Sequence, residues 1–352
     1  MRFTRLFTIV GVPLLFIASV RCEAPESRAE AVYIMSYNLQ TLFDPVDQGG
    51  EYEEFRVSSG AWSDRLYHAR LAALASSVLA ARVPGGSSGG PDILVVQEAE
   101  NERVLQDLAD AAGGYPYVVS SPDEEATLRC GILSRFPVAS VRAHRVRQPD
   151  GRPSSIPRYM LEVELDLHGR RLLVVASHWK SKLGGAMETE PERRAAAIFA
   201  GTLIETRLAA NPTLAIILAG DFNESPDEYE RVDRAYPTAL MPAEAGAGAW
   251  LLVEGDREAV PRGAPPLIMY CPWEEAGGYS YKYRGDEERI DQLLMSPGLV
   301  SRGPCPLRFE SFSAEPPAFA VDGSGSPLGY NARTGSGYSD HLPIRARLVY
   351  SP

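Results

Sequence analysis

The sequence predicts an α/β sandwich in which two sheets pack face to face with helices outside. Three observations predict it. Short apolar runs rich in β-branched and aromatic residues, such as AVYIMSYNL (31–39), DILVV (92–96), LLVVAS (172–177) and LAIILA (214–219), have the length and make-up of strands. Longer stretches carry apolar residues at helical spacing. Strands arrive in groups with few helices between them, and no linker splits residues 31–352, which therefore read as one domain.

Each element follows from its own residues. Ala31–Leu39 is a strand by composition. Residues 62–82 place Leu66, Leu71, Leu74, Val78 and Leu79 at helical spacing, with Ser63 and Asp64 as a start signal and PGGSSGGP (84–91) as the stop. The run 92–96 is short and apolar, hence a buried strand, and it delivers Gln97 and Glu98 at its end. A second helix is expected from Asn101 to Ala112. Strands follow at Tyr117–Ser120, Cys130–Ser134, Tyr159–Leu167 and Leu172–Ser177, the last two joined by a turn at His168-Gly169. Pro191–Leu208 reads as a helix with the proline in its first turn. Leu214–Ala219 is a strand running into LAGDFNESP (218–226), where Gly220 and Pro226 read as turn residues. Residues 225–288 read as irregular surface excursions, and Ile290–Met295 and Pro343–Tyr350 as the last strands.

At 45% hydrophobic and 23% charged residues over a length of 352, the composition is that of an ordinary globular protein. Arg2 and Arg5 precede an uncharged, mostly apolar run from Leu6 to Val20 that stops at Arg21-Cys22. This is the pattern of an export signal over residues 1–21, too short for a comfortable membrane span. Cys22 suggests a bacterial lipoprotein acylated on that thiol after cleavage, with residues 22–30 as a tether. Ser19-Val20-Arg21 departs from the usual processing box, and an uncleaved signal anchor is the alternative. The mature chain is expected in the periplasm or anchored at a membrane, as a monomer.

Removing residues 1–21 takes away three arginines and moves the net charge from −11 to −14. Such a chain has no global attraction for nucleic acid, which argues against a passive nucleic-acid-binding module. It leaves room for a nuclease whose cleft is charged locally or by a metal. Cys130, Cys271 and Cys305 suit no zinc site by their spacing and allow at most one disulfide; Cys130 reads as a small buried residue.

Asp221 and Asn223 follow a buried strand two residues apart, and residues at i and i+2 of a strand share a face. A turn is the plain alternative. The same context, the end of an apolar strand, recurs at Asn38, Glu98 and His178, while Asp291 opens one late strand and Asp340-His341 precedes another. Each has an ordinary reading alone: a turn or cap for Asn38, a helix cap for Glu98, a packed histidine for His178. Asp291 has one too, as the partner of Arg289, and Asp340 as the cap of a turn before Pro343. The set carries the signal.

In order, SYNL, QEAEN, SHWKSK, GDFNESP, ERIDQLLMS and SDHLPI resemble the endonuclease/exonuclease/phosphatase superfamily, the deoxyribonuclease-I-like metal-dependent phosphoesterases, over roughly residues 32–350. The resemblance implies a four-layered α/β sandwich with its site at strand ends on one edge. It also implies hydrolysis of a phosphate ester, in the first place a phosphodiester of DNA or RNA, with a phosphomonoester or a sphingomyelin-like lipid as alternatives. A non-catalytic binding lipoprotein on the same fold would have little reason to keep the whole set. The implied cofactor is Mg²⁺, with Mn²⁺ or Ca²⁺ as alternatives, because a hard divalent cation neutralises phosphoryl oxygens.

Roles follow by position. Glu98 is the expected metal ligand with Asn38 beside it. Asp221 orients or deprotonates the attacking water, and Asn223 donates its amide to phosphate. His341 contacts a phosphoryl oxygen as an imidazolium, and Asp340 is either a second metal ligand or the partner of that imidazole. Asp291 is the acid expected to hold His178, the general acid or phosphate clamp. Lys180 and Lys182 are candidate phosphate contacts, as is Arg158 on weaker grounds. The stretch 236–288 adds Trp250, Tyr270, Trp273, Tyr279, Tyr281 and Tyr283, which either stack on bases or lipid or pack the insert onto the sandwich.

Overall fold

A computed structural model of the chain describes residues 31–80, 89–122, 127–147, 159–246, 248, 251–261 and 266–351. The stretch expected to be signal and tether (1–30), Arg158, Trp250 and most of the glycine-rich loop after the first helix lie outside the described residues.

The chain opens with β1 (Ala31–Leu42), then α1 (Asp64–Ala80), β2 (Ile93–Ala99) and α2 (Glu102–Ala111). Four antiparallel strands follow: β3 (Tyr117–Ser120), β4 (Arg129–Ser134), β5 (Val138–Arg145) and β6 (Tyr159–Leu167). Next come β7 (Arg170–His178), the long α3 (Ala186–Ala210), β8 (Ala215–Asp221) and the single turn α4 (Glu228–Arg231). The insert holds β9 (Leu240–Pro242), β10 (Leu251–Glu254), β11 (Ile268–Tyr270), α5 (Trp273–Ala276), β12 (Tyr281–Tyr283) and β13 (Asp286–Glu288). The chain closes through β14 (Asp291–Met295), α6 (Pro297–Val300), β15 (Leu307–Ser313) and β16 (Ile344–Tyr350).

These strands form a six-stranded sheet ordered β15-β16-β1-β2-β4-β3 and an eight-stranded sheet ordered β5-β6-β7-β8-β14-β11-β10-β9; β12 and β13 make a separate hairpin. Alternation along β1 and β2 sorts the layers. Val32, Ile34, Ile93 and Val95 face the second sheet and join one core with Val163, Val174 and Ile217. Met35, Tyr37, Leu94 and Val96 face outward and join a second core with Leu71, Leu74 and Val78 of α1 and Leu105 and Leu108 of α2. On the far side, Ala197, Ala200 and Ile204 of α3 join the core of the second sheet. The order is helix, sheet, sheet, helix, the expected sandwich. Covering both faces explains why β7 and β8 read as unbroken apolar runs rather than alternating ones.

Several boundaries differ from expectation for physical reasons. The edge strand β5 was hidden because none of its residues is buried and half of them are polar, as edge strands allow. The stretch 225–288 is less irregular than its Gly, Pro and acid content suggests, since β9–β11 extend the second sheet. Helix α3 starts at Ala186, so Pro191 sits beyond its first turn. The start signal of α1 is in place, with Ser63 Oγ accepting from the Leu66 N–H at 3.4 Å. Cys130, Cys271 and Cys305 are all buried, and none of them forms a disulfide.

Gly220 is not a turn residue but part of β8, at φ +140°. A Cβ there would collide with the Ser177 carbonyl of the neighbouring strand, a backbone atom that cannot swing away. Gly220→Ala is expected to cost about 2–4 kcal/mol, from backbone strain plus overpacking. Urea denaturation monitored by tryptophan fluorescence checks this; an unchanged midpoint would refute it.

Candidate active site

The site lies where strand ends from both sheets meet. In the second sheet, register aligns His178 of β7 with Asp221 of β8, and Asp221 with Asp291 of β14. Register partners on neighbouring strands project to the same side, so these three residues form a row with Asp221 in the middle. From the first sheet, β1 brings Asn38 and β2 brings Glu98. Pairing of β2 breaks between Val96 and Ala99, and Glu98 stands at φ +64°, a left-handed conformation uncommon for a non-glycine residue. Such strain is typical of functional positions.

Asn38 joins the two sheets. Fully buried, it donates Nδ2–H bonds to Glu98 Oε1 and Asp221 Oδ2, each at 3.0 Å, while its Oδ1 accepts from the Gln40 N–H at 2.9 Å. Asp221 Oδ1 accepts from the Asn223 N–H at 2.8 Å. Its Oδ2 lies 3.4 Å from His178 Nε2 and 3.8 Å from His341 Nε2. Burial alone would raise the Asp221 pKa, but the imidazoles of His341 and His178 and the Asn223 N–H outweigh it and hold the carboxyl well below the usual range.

His341 Nδ1 meets Asp291 Oδ2 at 2.8 Å, which leaves Nε2 facing Asp221. Burial opposes its charge, yet the carboxylates of Asp291 and Asp221 lift it well above the ordinary histidine value. Both carboxylates favour the imidazolium form. Burial also pushes Asp291 up, against the pull of His341. Ser339 completes the join: its hydroxyl donates to the Asn38 carbonyl at 2.7 Å and accepts from the His341 N–H at 3.1 Å.

The expected residues therefore meet, with four corrections. Asp291 holds His341, not His178, because β8 stands between β7 and β14 and interposes Asp221. Asp340 is therefore not the hydrogen-bonded partner of the imidazole, though its charge also helps to raise His341; its own half-buried carboxyl is raised by burial, with the His341 charge opposing and that of Glu98 adding. Asn223 lies past the end of β8 at φ +51°, and its amide donates to the Trp179 carbonyl at 3.2 Å. That bond braces the turn under Asp221; the strand-alternation argument for a shared face fails because the strand ends at Asp221. Lys182 is held by Glu228 at 2.7 Å and Glu288 at 3.1 Å, so Lys180 is the lysine left without an ion pair among the described residues. The helix cap considered for Glu98 belongs to Asn101, whose side chain accepts from the Val104 N–H at 2.9 Å.

Of the insert aromatics, Tyr270 and Trp273 are fully buried and pack it down, whereas Tyr281 lies beside His341 with ring centroids 4.8 Å apart and Tyr283 is exposed. Ser339 gave little signal in the sequence beyond its place before Asp340.

The donor set suits a divalent cation. Ligand atoms of Glu98, His178 and Asp221 lie within 4.8 Å of one another. Glu98, Asp221, Asp291 and Asp340 outnumber the two imidazoles, and Glu98 and Asp340 make no salt bridge to lysine or arginine among the described residues. Carboxylate oxygens in deficit of positive charge match a hard ion.

The sequence profile of the Endonuclease/Exonuclease/phosphatase family matches residues 33–235. No curated protein gives a significant match. Solved structures of similar fold include TDP2 from Caenorhabditis elegans, at 19% identity and TM-score 0.54, covering 91% of this chain and 75% of that one. A mannosyl-6-phosphatase from Bacteroides thetaiotaomicron matches at 16% identity and TM-score 0.56, covering 90% and 99%. TDP2 from D. rerio, complexed with a single-strand DNA product, matches at 14% and 0.53, covering 90% and 98%. With its profile match, its two mixed sheets and its acids and histidines gathered at their shared edge, the chain belongs to the endonuclease/exonuclease/phosphatase family of phosphoester hydrolases.

Proposed function

We propose that the protein is a Mg²⁺-dependent phosphodiesterase that cuts single-stranded nucleic acid outside the cytoplasm. The observation that carries the hydrolytic reading is Asp221, ionised, buried and flanked by two imidazoles at 3.4 and 3.8 Å. Its weak basicity suits orienting a water for in-line attack more than removing the proton outright. His341, already charged, offers a proton or a hydrogen bond to a phosphoryl oxygen in a site where charge is costly to leave unmatched. His178, on the other side of Asp221, is placed to protonate the leaving oxygen. Glu98, with Asn38 fixing its carboxylate and Asp340 nearby, would hold the metal, which when bound neutralises phosphoryl charge.

Single strands are favoured over duplex because the acidic chain offers no basic track, while Tyr281 stands beside His341 as a stacking surface and Tyr283, two residues on in the same hairpin, is exposed. The scarcity of free cations around His341 also favours a second reading, a phosphomonoesterase with a small substrate; a phospholipid is the further alternative. A panel of single-stranded DNA, plasmid, RNA, a sugar phosphate and sphingomyelin separates them. Activity is expected on single strands with Mg²⁺ and none in EDTA, and a preference for the sugar phosphate would replace the first reading with the second. Glu98→Gln is expected to raise the Mg²⁺ concentration for half-maximal rate by about 10–100-fold. Export and acylation of Cys22 belong to the same proposal: a fatty-acid analogue should label the wild type in cells and not Cys22→Ser.

A further inference from the structure

We propose that Gln40 is a positioning residue that sets the metal end of the site, held in place by the buried cation Arg70. This rests on the metal-dependent reading above. Immediately after Asn38 the backbone turns left-handed at two successive non-glycine residues, Gln40 at φ +53° and Thr41 at φ +58°. Pairing of β1 with β2 shifts between Asn38 and Leu42 as a result. Two such residues in a row are costly and persist only where surrounding contacts demand them.

Those contacts come from Arg70 of α1, which is almost fully buried. Its Nη2 donates to the Leu39 carbonyl at 2.9 Å and to the Gln40 carbonyl, and the guanidinium lies 4.0 Å from the centre of the Tyr330 ring and 5.3 Å from that of Phe55. A planar group that grips two carbonyls while lying against aromatic rings holds the bulge in one shape.

The bulge turns the Gln40 side chain toward the loop carrying Asp340. Gln40 Oε1 accepts from the Asp340 N–H at 3.0 Å and the Tyr330 N–H at 2.6 Å, and Nε2 donates to the Tyr330 carbonyl at 3.3 Å. Gly329 allows this approach: a Cβ there would come within 3.3 Å of both Gln40 Oε1 and Asp340 Cβ. Asn38 and Asp340, from opposite ends of the chain, are thus tied through one amide two residues from the first and bonded to the second. Ser339 ties the same loop to the Asn38 carbonyl but leaves Asp340 itself unheld. The amide contributes no charge; what it supplies is the placement of Asp340 relative to Glu98, which a hard cation needs in advance of binding.

The test is Mn²⁺ binding to the folded chain by isothermal titration and electron paramagnetic resonance. Gln40→Met, similar in length and without hydrogen bonds, is expected to weaken Mn²⁺ 10–100-fold, the usual effect of losing an outer-shell partner. Gln40→Glu, which keeps the oxygen that accepts from Asp340 and Tyr330, is expected to bind within threefold of wild type or tighter. Arg70→Lys, charged but shorter and without the planar group that lies against Tyr330 and Phe55, is expected to weaken Mn²⁺ about 10-fold and covers the case in which Gln40→Met fails to fold. Mn²⁺ affinity within threefold of wild type in Gln40→Met and Arg70→Lys overturns the inference, as does equal loss in Gln40→Glu and Gln40→Met. A wild type that binds no Mn²⁺ overturns the metal-dependent reading instead.

Discussion

Asp221→Asn is expected to lower kcat/KM on a phosphodiester by about 10³-fold, within the 10²–10⁴ range of a positioned acid–base group. The change keeps shape and removes charge. In the wild type, Asp221 Oδ2 accepts from Asn38 Nδ2 at 3.0 Å and faces both imidazoles. An amide there is neutral, so it no longer stabilises the His341 imidazolium, and its NH₂ group can point only where another donor already points. Folding should be weakened by about 1–3 kcal/mol, the cost of a buried donor facing a donor, but not lost, because Asp291 still holds His341 and the His178 strand keeps its register. The measurement is steady-state kinetics on bis-p-nitrophenyl phosphate at saturating Mg²⁺, with the unfolding midpoint as control. A loss below 10-fold would show that the water is oriented elsewhere. His341→Ala should cost a similar factor, and the double variant little more than the worse single one, since groups acting as a unit do not add.

The sequence exposed this row because its members sit at the ends of apolar strands, where periodicity and composition are easiest to read. Asn38, Glu98, His178, Asp221, Asp291 and His341 all reached one edge. What composition and spacing do not contain is sheet order. Whether Asp291 serves His178 or His341 depends on β14 lying beyond β8, a tertiary fact. Asn223 was put on the strand face because a strand argument was carried two residues past the end of the strand. Lys182 and Lys180 look alike in SHWKSK, and only the fold brings Glu228 and Glu288 against one of them. The edge strand β5 and the short β9–β11 escaped for the opposite reason: their hydrophobic signal is weak or brief.

Arg193 left the faintest trace of all, one charge in the stretch PERRAAA, yet Arg193→Met is expected to destabilise the fold by about 3–5 kcal/mol. The guanidinium is fully buried between two carboxylates, with Glu190 Oε2 at 2.6 Å from Nη2 and Glu224 Oε2 at 2.9 Å from Nε. It also donates to Thr189 Oγ1 at 2.8 Å, to the Ala186 carbonyl at 2.6 Å and to the Lys180 carbonyl at 3.3 Å. Glu224 lies three residues after Asp221, and Lys180 two after His178, so this cation fastens both catalytic strand ends to α3. Removing it leaves two buried acids without a counter-charge, which costs more than the pair contributed.

The pH dependence distinguishes that account from simple loss of packing. Burial, and then Glu190, push the Glu224 carboxyl up to about 8 even with Arg193 present. A carboxyl raised in the folded state binds its proton more tightly there than in the unfolded chain, so its contribution to stability falls as pH rises from about 4.3 toward the folded value. Without Arg193 both acids should be raised further. Up to about pH 8 the Glu224 carboxyl keeps its proton in both folded proteins, so the deficit of Arg193→Met relative to wild type should grow mainly above that value, where the wild-type carboxyl ionises and the variant's does not. Replacing all three groups by apolar residues, Glu190→Leu, Arg193→Met and Glu224→Leu together, should recover much of the loss, because no charge remains unmatched. Urea denaturation at about pH 6, 8 and 9.5 reads all of this. A deficit independent of pH, with no recovery in the triple variant, would assign the effect to the hydrogen bonds that hold the Lys180 and Ala186 carbonyls rather than to the buried charges.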